Sequence, residues 1–202
     1  MHAQNTKAMN RSNRYGMTYD ELLKLKAAVL YVVNTCEGID YYHLFKILYF
    51  ADREHLAKYG RHIISDTFCA MDNGPVPSNL YDAIKDVTGK KRLHSHSKLK
   101  IISDSLAKAD SMYDYILIGR EQADMDELSA SDIEMLDKSI KENLTIRFGD
   151  LSNKSHDIAW VNAHDKKNAS RIDDLLMAKA GGANDAMIDF IKELKSYNEV
   201  SR

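Results

Sequence analysis

The chain has 202 residues, a formal net charge of -2, 44% hydrophobic and 29% charged residues. That length accommodates one domain with a substantial core and leaves a second of ordinary size cramped, and the composition excludes wholesale disorder. The small net charge decides nothing about nucleic acid, and the longest uninterrupted apolar run, Ala27 to Val33, falls far short of the roughly 20 residues that cross a bilayer.

The opening segment, MHAQNTKAMNRSNRYGM, carries no apolar core of a secretory signal, which points to the cytoplasm. Residues 1–17 hold Lys7, Arg11 and Arg14, no acid and almost no large aliphatic side chain, so they read as a flexible basic arm ahead of a folded part at 18–198. Thr18 and Glu21 have the spacing of a capping box, and Leu22, Leu25, Val29, Val32 and Val33 follow at helical spacing until Glu37-Gly38. A second helix, Tyr41 to Tyr59, is apolar on several faces and is therefore central to the core. Asp52, Arg53 and Glu54 interrupt it. They read either as a solvated stripe or as a polar notch facing a cleft or partner.

Gly60 ends this helix, and Asp66 to Met71 alternates like a short strand. Both prolines of the chain then fall in Gly74-Pro75-Val76-Pro77, making a stiff, extended corner. Ser78 is placed to cap a helix carrying Leu80, Tyr81, Ile84 and Val87. Lys98 to Ser103 and Met112 to Gly119 read as two more strands, and the three segments suggest one small antiparallel sheet. Gly89 to Lys100 is rich in lysine, arginine and histidine without an acid. It reads as a solvated basic loop that also suits an acidic surface or a phosphate backbone.

Ser131 to Glu134 has the pattern of another capping box, and helices are expected over Ser170 to Lys179 and Asn184 to Tyr197, separated by Gly181-Gly182. Helices thus outweigh strands, and the expected fold is mostly α, a helical domain with a small antiparallel β element.

Catalytic chemistry finds little support. Cys36 and Cys69 lie far apart without metal-type spacing and read as buried thiols. His94 and His96 form a tight pair, but in a loop whose own charge repels cations. Ser155, His156 and Asp157 are neighbours in sequence, whereas a catalytic triad converges from separate elements, so His156 reads as a structural histidine near Trp160. No phosphate-binding glycine loop or nucleophile elbow occurs. Neither a metal nor a cofactor is expected.

Three blocks carry a family resemblance: Leu44 to Tyr59 (LFKILYFADREHLAKY), Ser65 to Tyr81 (SDTFCAMDNGPVPSNLY) and Leu151 to Ala163 (LSNKSHDIAWVNA). In content and order they resemble the Panacea domain of SocA-type antitoxins, a family also met among phage-associated proteins. His62, and Ile158-Ala159 before Trp160, stand where family members often have proline. The resemblance implies a helical domain that acts without enzymatic activity, as the antitoxin of a toxin–antitoxin system, by binding a cognate toxin protein. One branch of the family instead delivers its toxin to a protease, which would make this chain a proteolytic adaptor. A nucleic-acid-binding role through Arg11, Arg14 and Lys90 to Lys100, and an enzyme using His156 or His94 and His96, are the remaining alternatives.

The partner surface is expected at Asp52, Arg53, Asp72, Asn73, Pro75 and Pro77, with Gly74, Val76, Ser78, Tyr81, His156 and Trp160 as the structural motif.

Overall fold

A computed structural model describes residues 16–111, 115–165 and 170–200. The basic residues expected to form an arm, and the first part of the strand expected at Met112, lie outside the described residues. Among the described residues the fold is mostly helical, with nine α-helices and short antiparallel strands.

Helix α1 (Tyr19–Thr35) starts at the expected capping box: Thr18 Oγ1 accepts from the Glu21 amide, and Glu21 Oε2 accepts from the Thr18 amide at 2.7 Å. Glu37 (φ 53°) and Gly38 (φ 105°) then turn the chain through the left-handed region into β1 (Ile39–Asp40). Asp40 caps α2 (Tyr41–Tyr59) by accepting from the His43 amide, and Gly60 at φ 70° closes that helix. A Cβ on Gly60 would sit 2.6 Å from the Phe190 ring, so both its backbone and its surroundings call for glycine.

Helix α2 is the axis of the molecule, as its apolar faces predict. Its buried residues run from Leu44 to Leu56, and α5 (Ala130–Asn143) packs along it. Helix α5 is capped by Ser129 with Asp132, not by the expected Ser131 with Glu134. The buried position goes to Asp132, which accepts from the Ser129 amide and pairs with Lys24 at 2.9 Å and Arg61 at 3.1 Å. Glu134 instead lies on the surface and pairs with Lys58.

The β element is two sheets rather than the single sheet expected. Strands β2 (Phe68–Met71) and β3 (Gly74–Pro77) form a hairpin, so the proline corner is itself a strand. Strand β1 joins β4 (Leu106–Lys108) and β5 (Ile116–Gly119) in the order β1-β5-β4. The strand expected at Lys98 to Ser103 is not formed. That stretch turns into a short helix, α4 (Lys100–Ser103), which buries Ile102.

The basic loop ahead of α4 folds back on α3 (Ser78–Val87). Asp86 accepts from the Leu93 amide and from Lys100 Nζ at 2.8 Å, and Asp82 pairs with Lys85 and Lys91. Two of the loop's cations, Lys91 and Lys100, are thus paired with acids from a neighbouring element, while His94 and His96 are exposed.

Helices α6 (Phe148–Ser155) and α7 (Ile158–His164) build the tryptophan block. Helix α8 (Asp174–Ala180) begins later than expected because residues 170–172 run beside β2 instead: the Ala70 amide donates to the Ser170 carbonyl, and the Ile172 amide to the Phe68 carbonyl. Helix α9 (Asp185–Val200) follows. Cys36 and Cys69 are free thiols, and both are half-buried rather than buried.

Candidate partner-binding site

The hairpin explains why the motif reads Gly-Pro-Val-Pro. Cys69 faces Val76 and Met71 faces Gly74, while Phe68 faces Pro77 and Ala70 faces Pro75. The Ser78 amide donates to the Thr67 carbonyl, which sets the phase of the ladder. Antiparallel pairs alternate between bonded and unbonded, so residues 75 and 77 direct their backbone polar groups away from β2. On that side, Lys46 Nζ, fully buried, donates to the Pro75 carbonyl at 2.8 Å. An ordinary amide there would bring a buried donor needing an acceptor, and proline removes it.

Gly74 stands at φ 102°, and a Cβ would lie 2.2 Å from Ser155 Oγ and 2.8 Å from Lys46 Cε. Neither Asp72 nor Asn73 has positive φ, so Gly74 alone supplies the left-handed residue of the turn.

Ser78 does not cap α3; it is the helix's first residue, and Pro77 holds the cap position without a side-chain bond. The helix is capped from a distance by Asp66. Its Oδ1 accepts from the Asn79 amide and side chain, and its Oδ2 from the Leu80 amide. Burial raises the Asp66 pKa from the ordinary value, against the pull of these donors. Val76 is buried, and Tyr81 packs edge-on against Phe45 at 5.7 Å.

The expected partner residues separate into two groups. Asp72 and Asn73 form the exposed hairpin turn, and the Asp72 side chain is 98% exposed. Asp52 is fully buried: Oδ1 accepts from the amides of Ile63 and Ile64, and Oδ2 from His62 Nδ1 at 2.6 Å. It neither forms a solvated stripe nor faces a cleft, because it ties the chain leaving α2 back onto that helix. Pro75 and Pro77 are buried as well, under α2.

Arg53 is largely enclosed. Its Nη1 donates to Asp157 Oδ2 at 2.9 Å, its guanidinium stacks 4.8 Å from the Phe50 centroid, and its buried Nε has no partner among the described residues. Asp157 also accepts from Tyr49 Oη at 2.8 Å and from the amides of Ala159 and Trp160, so one carboxylate caps α7 and anchors it to α2.

Two titrating groups of the site were not visible in the sequence as site residues. Desolvation brings the Lys46 pKa down to about 7, the single lysine of LFKILYF being the only hint of it. Burial opposes a charge on His62, but Asp52 and Asp174 outweigh it and lift its pKa to about 10. Burial likewise acts to raise the Asp174 pKa, and His62 and Lys195 hold it below the ordinary value.

Beside the turn, the rings of His156, Trp160 and His164 form a continuous stack, His156 on Trp160 at 3.6 Å and Trp160 on His164 at 4.3 Å. Trp160 Nε1 donates to the Met71 carbonyl, and His164 reaches Asp72 at 3.3 Å. His156 thus lies flat on Trp160, and the stack props the hairpin turn outward. On the other side of the turn lies a cavity of about 400 Å³ lined by Asp40, Tyr41, Tyr42, His43, Asn73, Tyr115 and Phe148. Tyr42 Oη lies within hydrogen-bonding distance of the carbonyls of Asn73 (3.2 Å) and Phe148 (3.3 Å), linking α2, the turn and α6. No signal short of the three-dimensional fold brings Phe148 to Tyr42.

Among the described residues no group of three or more histidine, cysteine, aspartate or glutamate side chains is placed to hold a metal ion. No helix among them is long and apolar enough to cross a membrane.

Against known families, residues 44–161 match the model described as "Antitoxin SocA-like, Panacea domain". No curated protein and no solved structure matches the chain. The matched stretch contains most of α2, the hairpin, the basic loop, α5, α6 and most of the helix bearing Trp160, and it exceeds half of the chain. The chain belongs to the SocA-like antitoxin family, built on the Panacea domain.

Proposed function

We propose that the chain is an antitoxin that neutralises a cognate toxin protein by binding it directly, without catalysis. The observation carrying this reading is membership of the SocA-like family over residues 44–161. The contact surface we assign centres on the hairpin turn, Asp72 and Asn73, and on the aromatic cavity next to it. A rigid turn supported from below by Trp160, together with a concave aromatic neighbour, offers the protruding and receiving parts that stable protein interfaces combine.

Co-expression with the product of the neighbouring gene tests the reading. The expected result is that the neighbour alone arrests growth, that this chain restores it, and that the two co-purify. A harmless neighbour, or one that remains toxic beside this chain, overturns it.

A further inference from the structure

We propose that the cavity beside the hairpin turn is an acceptor for a basic side chain, a guanidinium above all, presented by the protein partner. The inference rests on the partner-binding reading and names the chemistry of its contact. Three observations point to it. First, the walls are aromatic: Tyr41, Tyr42, Tyr115 and Phe148 contribute rings, and Phe148 and Tyr115 remain 53% and 43% exposed at the rim. Electron-rich ring faces attract cations, and a planar guanidinium stacks on them.

Second, the best-placed donors of the lining are already used. Tyr42 Oη is within reach of two carbonyls, and His43 places Nδ1 2.6 Å from Asp40 and Nε2 2.8 Å from the Ile146 carbonyl. What remains is acceptor capacity at the Asn73 carbonyl and on the Asp40 carboxylate, each of whose oxygens takes one bond from His43. A donor-rich, flat, positively charged group matches that set, whereas a carboxylate or phosphate meets oxygen atoms.

Third, an acid stands at the rim: Asp72 is exposed on the adjoining turn, next to Asn73 of the lining, whereas Asp40 is already engaged by His43. The lining tyrosines already attract cations from within the chain: Lys90 Nζ sits 5.1 Å from the Tyr41 ring centroid and donates to its hydroxyl, and Lys46 Nζ sits 4.7 Å from the Tyr42 centroid.

The test uses the full chain, with carbon-13 in its tyrosine and phenylalanine rings, titrated by nuclear magnetic resonance with N-acetyl-arginine amide and, separately, with N-acetyl-leucine amide. Saturable shifts of the Tyr42, Tyr115 and Phe148 signals with the arginine probe are expected, with clearly weaker binding of the leucine probe. Phe148→Ala, at a ring that packs on Tyr42 on one side and is 53% exposed, is expected to weaken arginine binding about tenfold. Tyr115→Ala provides a second variant.

Absence of a saturable shift, equal affinity for the leucine probe, or unchanged affinity in both variants overturns the proposal. No toxin enters this titration, so a failure here leaves neutralisation standing. Failure of the co-expression experiment leaves the cation site standing.

Discussion

The two halves of α2 manage buried charge in opposite ways. Toward its C-terminal end, Asp52 is surrounded by two backbone amides and His62, and Asp132 sits in a second cluster with Lys24 and Arg61, beside His55, whose pKa burial lowers. Opposite charges meet there, and each ion is stabilised by a partner from another segment. Toward the N-terminal end, Lys46 is equally buried but donates to a carbonyl, and desolvation acts without a carboxylate to offset it. The first arrangement keeps its charges and depends on them; the second is poised to give its charge up.

The largest effect is therefore expected from Asp52→Ala. It removes the acceptor of two buried amides and one of the two carboxylates that face His62, and we expect a loss of about 4 kcal/mol in urea unfolding. A loss below about 1 kcal/mol would show that the chain after α2 is held by its apolar residues Ile63 and Ile64 alone. Gly74→Ala comes next, at about 3 kcal/mol, because the new methyl meets Ser155 and Lys46 while the backbone stays left-handed. The same unfolding measurement checks it.

The smallest effect is the most specific, because the two halves of the helix respond to alkali with opposite sign. His62 has a folded pKa of about 10, above its ordinary value of 6.5, so the folded state binds more protons in that interval and this contribution is lost as pH rises. Lys46 has a folded pKa of about 7, below its ordinary 10.5, so the unfolded state binds more protons and stability gains as pH rises through that window. The two slopes oppose one another between about pH 7 and 10. Removing Lys46 with Lys46→Met is expected to make stability fall more steeply across that window, and His62→Gln to make it fall less or rise. Parallel profiles for the two variants would sink the comparison.

Much of this was legible in the sequence. Helix α2 has the bounds expected from its apolar faces and Gly60, and the Thr18 box starts α1 as its spacing predicts. Local signals suffice in both cases, since the information lies within a turn or two of the chain. The proline motif was recognisable as extended but not as a strand, because the partner strand and the buried lysine that make its prolines useful come from elsewhere.

Asp52 was misjudged for the same reason. A charge in a helical run reads as solvated unless the chain returns over it, and here Ile63 and Ile64 do. Ser170 read as a helix start because nothing local reveals that residues 170–172 are taken by β2. Of the candidate site, Asp72 and Asn73 were visible as polar residues before a rigid motif. The cavity was not, since it joins Tyr42, Tyr115 and Phe148 from three separated segments.

The hairpin has a consequence for how the molecule can associate. The outer side of β2 is occupied by residues 170–172, and β3 lies under α2 with proline nitrogens where amides would stand. This sheet therefore offers no row of unpaired donors on which a foreign strand could align, whether from a second copy or from a partially folded chain. Growth by strand addition is closed at this hairpin, and what it presents outward is its two-residue tip, to be read by side chains rather than by backbone.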